Sequence, residues 1–327
     1  MLRAMDSAVA GLRAHQNKLD VIGHNLANVN TAGYKSQSYL FKEAMYQTST
    51  NSTAGSGNAN GAGGVNAAQY GYGTMMGSIW VDMGASTPTQ MGGLTATIDG
   101  EGFFMTMSTA NRNGGITNAT TDIKRADFQY TRVGQFKIDS AGFLVDSNSN
   151  NFVYGFRTNN NAITGNPVTF GQNLEPIRVC MPDGSIDLNA APEDIALAKS
   201  VKIDSEGKIT IGIQRTVNPG TPNETTEIVE AVIGQVAVAS FQNQEGLTKS
   251  GGSYYTASDG DNSGIVMADK PGTAGSAGLI TGYVEASNVD MAKEFSELIT
   301  TQRGFQANTK MITVSDQILE ELVNMKR

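Results

Sequence analysis

Two amphipathic segments, one at each end of the chain, restrict its possible folds more than anything between them. From Met5 the apolar or semi-apolar positions fall at Met5, Ala8, Leu12, His15, Leu19, Ile22 and Leu26, with spacings that alternate between 3 and 4. That heptad pattern predicts a helix from residue 1 to about 28, roughly 42 Å long at 1.5 Å per residue. At the other end, the run 291–327 sets Phe295, Leu298, Phe305, Ile312, Leu319 and Leu322 on one helical face, with Met311, Val314, Ile318 and Met325 beside it. Ser287 or Asn288 is its expected cap, with Asp290 in the first turn and Lys326 and Arg327 at a favourable C-terminus. This helix would reach roughly 55–60 Å. Helices this long and one-sided need a partner, and each is expected to find it in the other. Pairing leaves flank such as Val9, Val21 and Met325 uncovered, so further copies of the chain are expected to cover it. A helical hairpin packed on a globular domain is the alternative.

The first helix is expected to stop abruptly. After Leu26 the heptad pattern gives way to "ANVNTAGYK". Asn25, Asn28, Asn30, Thr31, Gly33 and Tyr34 are read as the helix stop and the start of a joint. Asn and Thr compete for backbone hydrogen bonds and favour caps and turns, and Gly33 is free to adopt a positive φ.

Short strands and turns follow at close spacing. "SIWVDM", "QYTRVGQFKIDSAGFLVDS", "NFVYGF", "SVKIDSEGKITIGI" and "IGQVAVASF" all read as strands or hairpins. One unit recurs: "FKIDSAGFLV" and "VKIDSEGKITI" share a frame in which Asp139 with Gly142, and Asp204 with Gly207, supply a tight turn. "IDGEGFF" at 98–104 is read as a shorter relative. Two stretches, 48–69 and 258–278, are rich in Gly, Ala, Asn and Ser and read as linkers. The expected fold class is therefore α+β. Long N- and C-terminal helices form a coiled-coil inner domain, joined through a Gly-rich linker region to a mainly antiparallel β-rich body. The expected domains are 1–30 with 286–327 (helical), 31–75 with 257–285 (joint), and 76–256 (body, without a separate full-size inserted domain).

Composition narrows the function classes. A formal net charge of -8 leaves no basic field for nucleic acid. The apolar stretch 232–241 is far short of the roughly 20 residues that a membrane span needs. The N-terminal stretch lacks a continuous apolar core and carries Asp6 and Arg13, so no cleavable signal peptide is expected. The lone Cys180 excludes an internal disulfide framework and a multi-cysteine metal site. "DGDNSGIVMADK" opens like a calcium loop, but Lys270 stands where a bidentate Glu is required. "AGSAG" around Ser276 falls one glycine short of a nucleophile elbow, and the two histidines, His15 and His24, both lie in the first helix. No catalytic, cofactor or metal residue is expected.

The same residues carry a resemblance. "KLDVIGHNLANVNTAGYK" resembles the N-terminal signature of bacterial flagellar rod and hook proteins. "GGVNAAQYGYG", "IDGEGFF", "YTRVGQFKIDSAGFLV", "GQVAVASFQNQEGLTKSGGSYY" and "GYVEASNVDMAKEFSELITTQRGFQANTKM" follow in that family's order. Within the family, "GGVNAAQYGYG" and the C-terminal run look more like the hook members than the distal rod members. The resemblance implies a tube of identical subunits serving as a flexible universal joint that transmits torque, with a stiff rod subunit as the alternative. Paired terminal helices would line the tube, the linkers would form a joint, and the β body would form an outer mesh. It also implies export by the flagellar type III apparatus and contacts with the distal rod protein, the hook cap and the hook-filament junction protein. On that resemblance Met5, Leu12, Leu19, Ile22, Leu26, Phe295, Leu298, Phe305, Ile312, Leu319 and Leu322 are the expected assembly residues.

Overall fold

The first helix, α1, spans Leu2–Ala27, and the C-terminal helix, α2, spans Met291–Met325. The computed structural model describes residues 2–55, 63–108, 116, 123, 127–163, 169–179, 195–217, 225–273 and 276–325. They fall into two units. Unit 1 comprises Met1–Val29, Lys35–Asp82 and Val289–Arg327, and unit 2 comprises Asn30–Tyr34 and Met83–Asn288. The architecture is α+β with a β-rich body.

In unit 1, α1 ends in tightened turns, where Asn28 N–H donates to Asn25 O and Val29 N–H to Leu26 O. Helix α2 is capped by Asp290 itself, not by Ser287 or Asn288. The Asp290 carboxylate accepts from Ala292 N–H at 2.9 Å and Lys293 N–H at 3.3 Å, filling two donors that a helix start leaves unpaired. Four strands complete the unit: β1 (Gln37–Glu43), β2 (Tyr46–Thr50), β3 (Ala68–Gly71) and β4 (Thr74–Val81). They form a two-stranded ribbon in two ladders, β1 with β4 and β2 with β3, both antiparallel. The Gly-rich stretch 48–69 thus begins and ends in paired strands, and its middle, 56–62, lies outside the described residues.

Unit 2 holds the remaining strands. The first group is β5 (Pro88–Gln90), β6 (Ala96–Asp99), β7 (Phe103–Met107), β8 (Gln129–Thr131), β9 (Phe136–Ile138) and β10 (Leu144–Asp146). Then come β11 (Phe152–Ile163), β12 (Phe170–Pro176), β13 (Ile195–Ile203), β14 (Lys208–Val217) and β15 (Thr225–Val236). The last are β16 (Val238–Phe241), β17 (Thr248–Gly251), β18 (Tyr254–Thr256), β19 (Val266–Asp269), β20 (Gly278–Thr281) and β21 (Tyr283–Glu285). Among the described residues, thirteen of them share one antiparallel sheet whose main path is β13-β14-β15-β11-β7-β8-β18-β17. Strands β13, β14 and β15 therefore continue the body's sheet. Pairs β20 with β6 and β21 with β5 lie apart from that sheet, so residues 257–285, expected as joint, carry three strands of this unit.

The core sits on both faces of β7. Side chains alternate across a strand, so Phe103, Met105 and Met107 enter an aromatic cluster with Phe128, Tyr130, Tyr154, Phe241 and Tyr255. Phe104 enters an aliphatic cluster with Ile98, Val153, Ile209, Ile233 and Val238. The aromatic rings meet edge to face, with Tyr130 4.8 Å from Phe241 and Phe128 5.0 Å from Tyr154.

The two recurring sequence frames fold alike. Gly142 donates to Asp139 O at 2.8 Å with φ 78°, and Gly207 donates to Asp204 O at 2.8 Å with φ 74°. Each glycine carbonyl then accepts from a later segment, Gly142 from Val179 and Gly207 from Val236. The supposed shorter relative does not form a hairpin. Strand β6 pairs with β20, while β7 pairs with β8, β11 and β16. Gly100 and Gly102, at φ 133° and 144°, carry "IDGEGFF" from one sheet into the other.

Candidate assembly surface and joint

The helices of unit 1 pack antiparallel. A Cβ built on Gly11 would lie 2.7 Å from Asn308 Nδ2, one on Gly304 would lie 2.8 Å from the His15 ring, and Asn25 reaches Glu294. On α2 the covered positions include Glu294, Leu298, Thr301, Phe305, Asn308, Ile312, Ser315 and Leu319, spaced 4 and 3 in turn, with Glu297 and Gly304 half-buried beside them. One line of this seam is apolar (Leu298, Phe305, Ile312, Leu319). The other is polar or small (Glu294, Thr301, Asn308, Ser315). Reading only apolar periodicity misses the second line, although its seven-residue recurrence is visible in the sequence. On α1 the buried positions are Ala8, Ala14, Val21, Ile22 and Asn25, and Met5, Leu12, Leu19 and Leu26 are half-buried beside them. Phe295 and Leu322 lie outside the seam and are exposed.

A polar knot closes the seam where α1 ends. Asn25 is 1% exposed. Its Oδ1 accepts from Gln37 N–H at 2.9 Å, and its Nδ2 donates to Gln37 O at 2.7 Å and Glu294 Oε1 at 2.9 Å. The side chain thus serves as a strand partner for the start of β1. Burial raises the Glu294 carboxyl above its usual range, and the Asn25 amide works against that shift. Burial, with Lys18 nearby, lowers the His15 imidazole. Lys18 pairs with Glu297 at 3.0 Å. The ribbon runs along α1: Phe41 meets His15 at 5.4 Å between ring centres, and Arg3 lies 5.5 Å over Tyr70.

Much apolar surface in this unit is exposed. Helix α2 exposes Met291, Phe295 and Ile299 near its start and Met311, Val314, Ile318, Leu322 and Met325 further on. The ribbon exposes Leu40, Phe41, Met45, Met76, Ile79 and Trp80.

The segment Asn30–Tyr34 belongs to unit 2 although it interrupts unit 1 in the chain. Thr31 O accepts from Tyr34 N–H, and Gly33 turns the chain at φ 65°. The Gly33 N–H donates to Glu285 O at 2.9 Å, and a Cβ there would lie 2.8 Å from Val133 Cγ2. Ser253 Oγ reaches Ala32 O, and Lys249 Nζ lies 4.8 Å over the Tyr34 ring, where burial lowers its amine to about 8. Beneath this loop Arg132 and Glu285 form an ion pair at 3.6 Å, with side chains 1% and 2% exposed. Arg132 also donates to Gly100 O at 2.8 Å and covers the Phe103 ring, and Glu285 Oε1 accepts from Ser86 N–H.

Among the described residues no group of three or more His, Cys, Asp or Glu could hold a metal ion. The Asp261 carboxylate is engaged within its own loop by Ser258 N–H, Ser263 N–H and Ser263 Oγ. Cys180, Lys326 and Arg327 lie outside the described residues. No described helix is long and apolar enough to cross a membrane.

Comparison with known proteins places these features. Residues 5–35 match a family described as flagella basal body rod protein, and residues 280–325 match the flagellar basal body rod FlgEFG protein C-terminal family. The chain is 36% identical to the flagellar basal-body rod protein FlgG of Bacillus subtilis, over 333 positions that cover all of both chains. It is similar to two proteins of Borreliella burgdorferi, again over all of both chains in each case. These are the flagellar hook protein FlgE, at 26% over 463 positions, and the rod protein FlgG, at 29% over 330.

Proposed function

The chain belongs to the flagellar basal-body rod and hook protein family. On that premise we propose that it self-assembles into the axial tube of the flagellum, as a hook subunit whose tube serves as a flexible joint transmitting torque. The observation that carries the reading is the pair of exposed apolar patches that α2 carries outside its own seam, Met291, Phe295 and Ile299 near its start and Met311, Val314, Ile318, Leu322 and Met325 further on. Exposed apolar side chains grouped in this way, unlike single scattered ones, mark an interaction surface, and a second copy of the same helix pair is the partner whose apolar patches match them. The paired helices, read as a coiled-coil inner layer, line the tube. The expected assembly residues Met5, Leu12, Leu19, Ile22, Leu26, Phe295, Leu298, Phe305, Ile312, Leu319 and Leu322 divide between the seam and the copy-to-copy contacts. Asn25, Asn28, Asn30, Thr31, Gly33 and Tyr34 make the joint, and unit 2 forms the outer layer. The distal rod protein, hook cap, hook-filament junction protein and type III export apparatus are the proposed partners, and the protein acts outside the cell body. No catalytic role is proposed, since the relatives are structural proteins.

The distal rod is a second reading, favoured by length. Rod relatives align over 333 and 330 positions against 327 residues here, whereas the hook relative needs 463. Negative-stain microscopy of polymer grown from the purified chain separates the readings. Curved tubes support the hook, straight tubes support the rod, and failure to form tubes under any condition overturns both.

A further inference from the structure

We propose that two contacts, the His15 ring in the gap at Gly304 and the Asn25–Glu294 hydrogen bond, select the register in which α1 and α2 pair. The seam cannot select it unaided. Both of its lines on α2 recur every seven residues. A slide of seven residues, about 10.5 Å at 1.5 Å per residue, therefore returns apolar to apolar and small-polar to small-polar. In such a repeating interface a buried polar pair or a large-to-small fit specifies register at some cost in stability.

Both devices are present: the buried polar pair occurs once, and the large-to-small fit occurs at Gly304 against His15 and again at Gly11 against Asn308, the second being removed in every cross-linking variant below. Gly304 is the only glycine of α2. A mid-helix glycine weakens a helix relative to alanine, and at this position any Cβ would lie 2.8–3.3 Å from the His15 ring atoms. A slide of seven residues one way sets His15 against Met311 and Asn25 against Thr301. A slide the other way sets His15 against Glu297 and carries Asn25 past the start of α2, while Lys18, paired with Glu297 in the observed register, comes to Asp290. Either slide closes the gap and leaves Asn25 without its carboxylate. Misplacing one such buried polar group disfavours a register by roughly tenfold. The inference deepens the assembly reading, because a tube with one lattice needs subunits in one register.

The test is made on the full-length monomer, so it does not depend on whether the chain builds a hook, a rod or no tube. In a Cys180→Ser background, Gly11→Cys is combined in turn with Asn308→Cys or, with Asn308→Ala added so that the new Cβ is not crowded, with Thr301→Cys or Ser315→Cys. The first pair reports the observed register and the others report the two slides. The chain otherwise unchanged is expected to cross-link 11 with 308 at least about tenfold more than either slid pair. Asn25→Leu with Glu294→Leu, added to His15→Ala with Gly304→Ala, should keep the helical circular dichroism signal and bring the slid pairs within about threefold of the first. Single-register cross-linking in that variant would overturn the proposal. So would loss of its helical signal, which would make the contacts stability contacts. His15→Ala with Gly304→Ala alone, which raises helix propensity, should still admit slid cross-links at about a tenth of the main product. Their absence would count against the ring-in-gap contact as a selector.

Discussion

Strands β4 and β7 are similarly apolar and have opposite fates. "TMMGSIWV" in unit 1 exposes six of its eight residues, while "FFMTM" in unit 2 is buried at every position. Apolarity alone did not decide this. Strand β7 pairs with β8, β11 and β16 and carries a cluster on each face, whereas among the described residues β4 pairs with β1 alone. The same contrast separates the two units. Unit 2 surrounds its large aromatic residues with its own chain. Unit 1 exposes much of Phe295, Ile318 and Leu322. On the proposed reading, one part of the chain folds for itself and the burial of the other is completed by further copies.

The largest effect that could break this comparison is expected at the exposed start of α2. Phe295→Asp with Ile299→Asp touches no buried side chain of the monomer and should shift its stability by no more than about 0.5 kcal/mol per site. In the tube each would bury a charge where an apolar side chain of about 1.5–3 kcal/mol belongs. Sedimentation should then show the concentration needed for assembly rising by more than about a hundredfold. Unchanged assembly would mean that this face stays in solvent.

A smaller effect is expected in unit 2. Arg132→Met leaves the Glu285 carboxylate buried without its cation, which typically costs about 3–5 kcal/mol. Thermal melting of the β signal should show that loss. Most of it should return in Arg132→Met with Glu285→Leu, because an apolar pair carries no desolvation penalty. Equal losses in the single and double variants would mean that the site depends on the Glu285 contact to Ser86, not on the charge pair.

The smallest effect is a pH dependence in unit 1. The folded Glu294 carboxyl titrates above its usual range because it is buried. Its contribution to stability is therefore full below the usual carboxylate pKa and is lost as pH rises through the raised value. Glu294→Gln keeps an acceptor for the Asn25 amide and removes the titration. The variant and the parent should melt together at about pH 4 and separate toward neutral pH, with the variant higher. A parent that melts higher at neutral pH would assign the carboxylate a favourable charge interaction instead.

What the sequence disclosed followed from its periodicities. The spacing of Met5 to Leu26 and of Leu298 to Leu319 marks both helices, because a helical face repeats every three or four residues. The "KIDSxG" frame marks two hairpins, because Asp and Gly suit the same tight turn. Non-local relations stayed hidden. "IDGEGFF" has turn composition, yet its flanking strands join different sheets, which only their distant partners decide. Asn30–Tyr34 reads as the stop of a helix, but its membership of unit 2 depends on Ser253 and Glu285, more than two hundred residues away. The polar line Glu294, Thr301, Asn308 and Ser315 looks like solvated surface until α1 is laid against it.

Hydrogen exchange read by mass spectrometry on monomer and polymer tests the division of labour most directly. Peptides from 2–29, 37–55 and 291–325 should gain the largest protection on assembly. Peptides covering Phe103–Met107 and Gln129–Thr131 should already be protected in the monomer and change little. Gains concentrated in those unit 2 strands, with α2 exchanging alike in both states, would contradict the account.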